Sequence, residues 1–457
     1  MKPFESNRFF SALSVVMIFI SSVLLAIWSI KNTIALRNIL LISGVVIGLL
    51  ILKNNRRLTQ LIPNRPTFSQ FTPLILSACM FIWVLLHFLF FSQDEALQIQ
   101  ELRSTWLRVV QACFIGGVTG LIVGATLNRS KFLWLGIFSS FLYLLFDYIG
   151  AHIDSGLFFM PDYYFSSPFG NKINTVLMGN IFIAAICGSS AYTLTQNHIK
   201  LHVTTYLYWL AGVIAILFCF TTVIDTRNGI GVALILIGAW FLYIGAIALK
   251  HQFDARKFNT KAVFITVIPL LLIIFFIQQH LSINRGWIHF VDDISLAVQI
   301  KDVPNWQDIK KYGYPKLSSG EMVYPNNYER AAWATAGIES ISQNPLGYGL
   351  LEHSLGRVIR QTYPESVIQS SHSAWIDYGL AFGLPGLIFT LGALISILRL
   401  ATRSLSPNRL IAIWVTMGLL ITFTVAEVSS KHAIEILFFC IGLLNTMLLA
   451  KSPEKFE

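Results

Sequence analysis

The chain has 457 residues, 55% of them hydrophobic and only 12% charged, with a net charge of +10. Soluble domains carry roughly 25% charged residues, so these figures argue against a soluble globular enzyme and exclude a disordered or collagen-like chain. The basic surplus sits at the ends of apolar runs, which points to membrane topology rather than nucleic acid as its cause.

A helix needs about 20 apolar residues to cross the hydrocarbon core. Runs of that size recur near 9–29, 34–52, 72–91, 108–127, 132–149, 177–196, 203–223, 229–249, 262–279, 374–400, 407–425 and 432–450. They predict an all-α polytopic membrane protein with about twelve transmembrane helices. The first run is long enough to remain a membrane helix and no A-x-A site follows it, so no cleavable signal peptide is expected. Cys79, Cys113, Cys187, Cys219 and Cys440 each lie inside an apolar run, without a partner at metal spacing. They are expected as small buried apolar residues, forming neither a disulfide nor a zinc site.

With both termini cytoplasmic, 18 Lys and Arg fall on the inner loops and ends and 7 on the short outer loops, as the positive-inside rule requires. The remaining basic residues lie in one long outer loop, which divides the chain into N-terminal helices (1–279), the loop (280–370) and C-terminal helices (371–457). Loops of this length are usually functional. Helices are expected at 286–300 (short, lying against the membrane), 328–342 and 352–361. The middle one has Ala331, Ala334, Ile338 and Ile341 at helical spacing, and Asn326 with Glu329 resembles a capping box at its start.

Several outer polar residues call for an explanation. Arg227 stands in a tight turn, Asp225-Thr226-Arg227-Asn228-Gly229. It is either an interfacial cation paired with Asp225 or an anion contact, since a guanidinium fork fits phosphate oxygens. Arg330 falls in the first turn of the middle loop helix, where the dipole disfavours a cation. A bound anion would remove that conflict, and so would pairing with Glu329 or Glu339. His372, among Ser370, Ser371 and Ser373, stands at the start of the next helix. It either bonds locally or removes a proton near neutral pH; His353 is a weaker competitor. Gly383-Leu384-Pro385-Gly386 should break the helix, so that the span begins at Pro385 and 371–382 forms a separate interfacial segment. Asp147, Glu101, Arg103, Arg108, Glu427, Lys431, His432 and Glu435 are further ionisable groups near the outer ends, with pairing between helices as an equal account of them.

The stretch Asn344-Pro345-Leu346-Gly347-Tyr348-Gly349, followed by His372-Ser373-Ala374-Trp375-Ile376-Asp377-Tyr378-Gly379 and Gly383-Leu384-Pro385-Gly386-Leu387, resembles the O-antigen ligase and O-antigen polymerase superfamily. The late outer loop fits that resemblance, and Glu101-Leu102-Arg103-Ser104-Thr105-Trp106 looks similar to the ligase branch. Arg227-Asn228-Gly229 departs from the commoner Ser-Arg-Gly form.

The resemblance implies a glycosyltransferase of the bacterial inner membrane. Its donor is a glycan on undecaprenyl pyrophosphate and its acceptor, in the ligase branch, a sugar hydroxyl of lipid A–core, joined on the periplasmic side. Arg227 and Arg330 would hold the pyrophosphate and His372 would act as base. Pyrophosphate leaves as a weakly basic anion that two guanidinium groups can stabilise, so no metal and no cofactor are expected, and attack from the face opposite pyrophosphate would invert the anomeric centre. No nucleic acid partner is expected. The alternatives are a polymerase that extends the carrier-linked glycan, a protein O-glycosylase, and a lipid-linked glycan flippase or transporter, whose ionisable sites would lie near the midplane. Arg357 and Arg360 could meet core phosphates or make local contacts.

Overall fold

The computed structural model describes residues 3–53, 67–124, 127–157, 160, 162–196, 203–255, 271, 274, 275, 278, 285–426 and 432–450. Among them there is no strand, only one isolated bridge between Lys316 and Met322. Apolar runs take the helical form because only a helix satisfies every backbone N–H and C=O within its own segment where water is absent. The helices are α1 (Pro3–Ile27), α2 (Ile34–Lys53), α3 (Thr72–Phe91), α4 (Glu95–Val123), α5 (Leu127–Ser155), α6 (Lys172–Gln196), α7 (Val203–Phe218), α8 (Arg227–Ala255), α9 (Phe290–Ala297), α10 (Pro325–Gln343), α11 (Ser354–Thr362), α12 (Ala374–Arg403), α13 (Arg409–Thr422) and α14 (His432–Leu449). Among the described residues ten helices are long and apolar enough to cross a membrane, α7 counting with its continuation to Val223, and α13 is a shorter apolar helix. The chain is an all-α polytopic membrane protein. The expected span at 262–279 falls outside the described residues except at Leu271, Ile274, Phe275 and Gln278.

Helices α6 and α14 are buried almost throughout. Gly116 and Gly120 of α4 lie directly against the backbone carbonyls of Phe439 and Leu443 on α14, and Gly442 against that of Cys113. Small residues spaced four apart let two backbones approach where lipid offers no hydrophobic drive for association. All five cysteines are free, four of them buried and Cys79 partly so.

Residues 285–370 pack around a core of their own that includes Trp306, Tyr328, Leu355 and Ile359. This segment sits on the face of the bundle formed by the α3–α4 turn and its neighbours. Glu101, buried at the first turns of α4, accepts from the backbone N–H of Leu351 at 3.1 Å and Glu352 at 2.9 Å. A π-helical turn, Leu102–Trp106, follows it. His87 on α3 donates from Nε2 to the Gly347 carbonyl at 3.2 Å and accepts from Gln98 at Nδ1, also at 3.2 Å.

Helix α12 contains one non-helical residue, Gly383 (φ 63°, ψ −162°). The break falls at Gly383, inside the expected Gly383-Leu384-Pro385-Gly386 stretch, and Pro385 sits in the first turn of the second half, where proline costs nothing. The broken turn is stitched to 344–349. Tyr348 N–H donates to Leu380 O and Gly349 N–H to Ala381 O, each at 2.7 Å, while Leu384 N–H donates to Pro345 O at 2.8 Å. The Trp83 indole donates to Phe382 O at 2.9 Å. Residues 374–382 thus form a short, mostly buried helix clasped between the loop and the spans. A Cβ at Gly347 (φ 92°) would stand 2.5 Å from both Ala381 O and Gly383 N, whereas one at Gly320 (φ 85°) would meet nothing. Gly347→Ala should therefore cost clearly more stability than Gly320→Ala, whose strain alone is about 1–3 kcal/mol. Thermal unfolding of the two variants in detergent checks this; equal midpoints would count against the clasp.

Candidate functional site: a cationic cavity at the loop-bearing face

Arg227 is the first residue of α8. The turn before it is held by Asp225 in the left-handed region (φ 49°), a conformation Asp tolerates better than most residues. Lys172, the first residue of α6, donates to the Asp225 carbonyl at 2.9 Å. Among the described residues Arg227 makes no ion pair with Asp225; its guanidinium lies over the Tyr324 ring, 4.9 Å from the centroid. That contact orients the fork without neutralising it.

Arg330 lies in the second turn of its helix, not the first, because α10 starts at Pro325, with Tyr324 as N-cap. Proline at the first position supplies a helical φ and lacks an N–H that would be unsatisfied there. The expected capping box is absent: Asn326 is not the cap, and Glu329 accepts from the Tyr314 hydroxyl at 2.8 Å. Burial first, then this bond, push the Tyr314 phenol above its ordinary pKa, so it remains a donor. Glu339 pairs with Lys301 at 3.4 Å. With the Asn228 amide turned so that its oxygen faces the guanidinium, Arg330 donates to it from both terminal nitrogens, at 3.0 and 3.1 Å. The residue after Arg227 thus holds Arg330. The buried stripe of α10 is Tyr328, Ala332, Ala336 and Ser340, with Gly337 and Ile341, and Ile338 is exposed. Of the expected stripe only Ile341 is buried; against α12, Gly337 meets Ile376 and Ile341 meets Gly379.

Arg227 and Arg330 line one cavity of about 620 Å³. Lys172 joins them, against a single carboxylate among the described residues, Asp225; Asn228, Asn326 and Asn327 add amides, and Trp287, Phe290, Ile294 and Val425 form an apolar side. A surplus of fixed positive charge in a concave site focuses potential on an anion. The neighbouring apolar and aromatic wall suits an uncharged, partly apolar moiety attached to it.

His372 does not line this cavity. It is left-handed (φ 56°), and its ring stacks on Trp333 with centroids 5.3 Å apart and an interplanar angle of 29°. Trp333 follows Arg330 by three residues, which places the two on neighbouring turns of α10. Ser373 is the N-cap of α12, as the serine cluster suggests. His353 is the N-cap of α11 and is also absent from the cavity wall.

Most of the other ionisable residues singled out above make local contacts. Arg357 and Arg360 donate to the carbonyls of Glu352 and Ile368, at 2.9 and 2.8 Å. Glu435, fully buried in the first turn of α14, pairs with Arg108 at 2.9 Å and accepts from the Trp28 indole at 2.7 Å. His432 meets Asn174 at 2.9 Å and Tyr163 donates to Asp147 at 2.6 Å. The Glu435 and His432 links bind the end of α1 and helices α4, α6 and α14, while Tyr163 ties the segment after α5 back to it. Arg103 is exposed, and Glu427 and Lys431 lie outside the described residues. Sequence reasoning did not single out Lys172, and it named Glu101 without its partners. Lys172 was one more basic group in an outer loop, its cavity position visible only once α6 and α8 meet. Glu101 carried a signal, a carboxylate at the start of a span, but its partners lie 250 residues away.

No protein-family model matches the chain, and no curated protein matches it.

Proposed function

We propose that the protein is an inverting glycosyltransferase of the O-antigen ligase type, moving a glycan from a polyprenyl pyrophosphate to a sugar hydroxyl. The observation that carries this reading is the convergence of Arg227 and Arg330, about a hundred residues apart in the chain, on one cavity beside Lys172. The site takes a diphosphate with an apolar tail, and α10 links it to His372 through Trp333. In the reaction the acceptor oxygen attacks the anomeric carbon and the bond from that carbon to the phosphate oxygen breaks. Pyrophosphate departs with the electron pair into the guanidinium pair, and the hydroxyl proton passes to His372. Attack opposite the leaving group inverts the centre.

In this reading the protein lies in a bacterial inner membrane with cytoplasmic termini and a periplasmic cavity, and lipid A–core is the acceptor. The face with the cavity bears the turns poor in Lys and Arg, which supports that orientation. Polymerisation on the carrier or transfer to a protein would use the same chemistry, and the product distinguishes them. Transport is less well supported: His432 and Glu435 lie in the first turn of their span, not at its middle. Transfer from purified carrier-linked glycan to lipid A–core tests the reading; glycan crossing vesicles without a covalent product would overturn it. Turnover should persist in excess EDTA, and a lasting loss restored by a divalent ion would contradict the metal-free scheme.

A further inference from the structure

We propose that Asp377 is a positioning residue whose buried carboxylate locks the 371–373 turn and so holds His372 against Trp333. This rests on the reading of His372 as the base, though the geometry stands without it.

Asp377 is 1% exposed. Its Oδ1 accepts from the Ser371 N–H at 3.0 Å, the Ser371 hydroxyl at 2.8 Å and, more weakly, the Ser354 hydroxyl at 3.3 Å. The Ser371 hydroxyl also lies 2.9 Å from Ser373 O and accepts from Ser373 N–H at 3.1 Å. One carboxylate therefore fixes the residues on both sides of His372 and ties the turn to the start of α11. On the far side, Ala374 N–H donates to Phe423 O at 2.9 Å. A histidine at φ 56° is in a sparsely populated conformation that persists only where its surroundings over-determine it. A carboxylate buried to this degree is retained only if hydrogen bonds offset its lost hydration, and its donors come from the turn that aims the imidazole. The arrangement needs no contact between Asp377 and substrate; it acts through backbone geometry.

The test uses the full-length protein in lipid nanodiscs with Asp377→Ala, Asp377→Asn and Ser371→Ala. Three quantities are read: the rate at which diethylpyrocarbonate modifies His372, resolved by peptide mass spectrometry; kcat and KM for a polyprenyl-pyrophosphate glycan; and the unfolding midpoint. Misplacing a reacting group by about 1 Å costs about 100-fold. Asp377→Ala should lose about that much kcat, with KM for the donor unchanged and His372 reactivity altered. Asp377→Asn, which keeps an accepting oxygen, should recover most of the rate, and Ser371→Ala should fall between the two. If Asp377→Ala does not fold, Ser371→Ala and Asp377→Asn carry the test through the same readouts. Wild-type kcat and His372 reactivity in these variants would overturn the proposal. So would equal losses in Asn and Ala variants that track the unfolding midpoint, which is the mark of a merely structural brace. Full turnover in His372→Ala would instead remove the base assignment while leaving any Asp377-dependent change in His372 reactivity intact.

Discussion

Replacing His372 with alanine should lower transfer by about 10²- to 10⁴-fold, the usual contribution of a positioned general base, while the protein still inserts and binds the lipid-linked donor. The imidazole stacks on Trp333 and does not line the cationic cavity, so its loss removes proton transfer rather than anion binding. The loss should appear in kcat, with the donor KM nearly unchanged, the pattern of an interaction made in the transition state only. Single-turnover transfer and donor binding, measured on the same preparation, separate the two quantities. A folded His372→Ala protein with full turnover would remove this residue from the chemistry.

The second large effect is expected at Arg330. Arg330→Ala should cost about 10²- to 10³-fold in transfer, the scale seen when one preorganised donor to a developing anion is removed. Arg330→Lys should recover little of it. A lysine keeps the charge but lacks the planar fork, and only a fork can reach Asn228 with two nitrogens, at 3.0 and 3.1 Å, while turning its remaining donors to the cavity. Arg227 should respond differently to the same change, because its orientation comes from the Tyr324 face: Arg227→Lys retains part of that cation–π contact. The two sites share one ligand, so the double alanine variant should lose less than the sum of the single losses. Strict additivity would show that the arginines do not hold a common group.

The membrane helices were legible because apolar runs of bilayer length admit few other structures, and eleven of the expected runs coincide with described helices. What escaped was set by contacts between distant segments. The start of α10 depended on Pro325 and not on the Asn326–Glu329 pattern, because Glu329 is drawn to Tyr314. Its buried stripe passed through Tyr328, Ala332, Ala336 and Ser340 and left Ile338 exposed, a rotation set by the segments packed against it. The break in α12 was visible in Gly383-Leu384-Pro385-Gly386, but not its stitching to the carbonyls and amides of 344–349. Arg227 and Arg330 drew notice as cations in unfavourable local settings, and both line the cavity. Their orienting partners, Tyr324 and Asn228, and the third cation, Lys172, carry no local signal.

The central claim, a lipid pyrophosphate bound by the Arg227–Arg330 pair and displaced by a sugar hydroxyl under His372, is tested most directly by reconstitution. Purified protein is mixed with polyprenyl-pyrophosphate-linked glycan and lipid A–core, and the product is analysed by mass spectrometry and by the anomeric configuration of the new bond. The expected result is glycan on lipid A–core with the configuration inverted, free polyprenyl pyrophosphate in equal amount, and both products formed at least about 100-fold more slowly by the His372→Ala or Arg330→Ala protein. Retained configuration, or undiminished product from those variants, would contradict it.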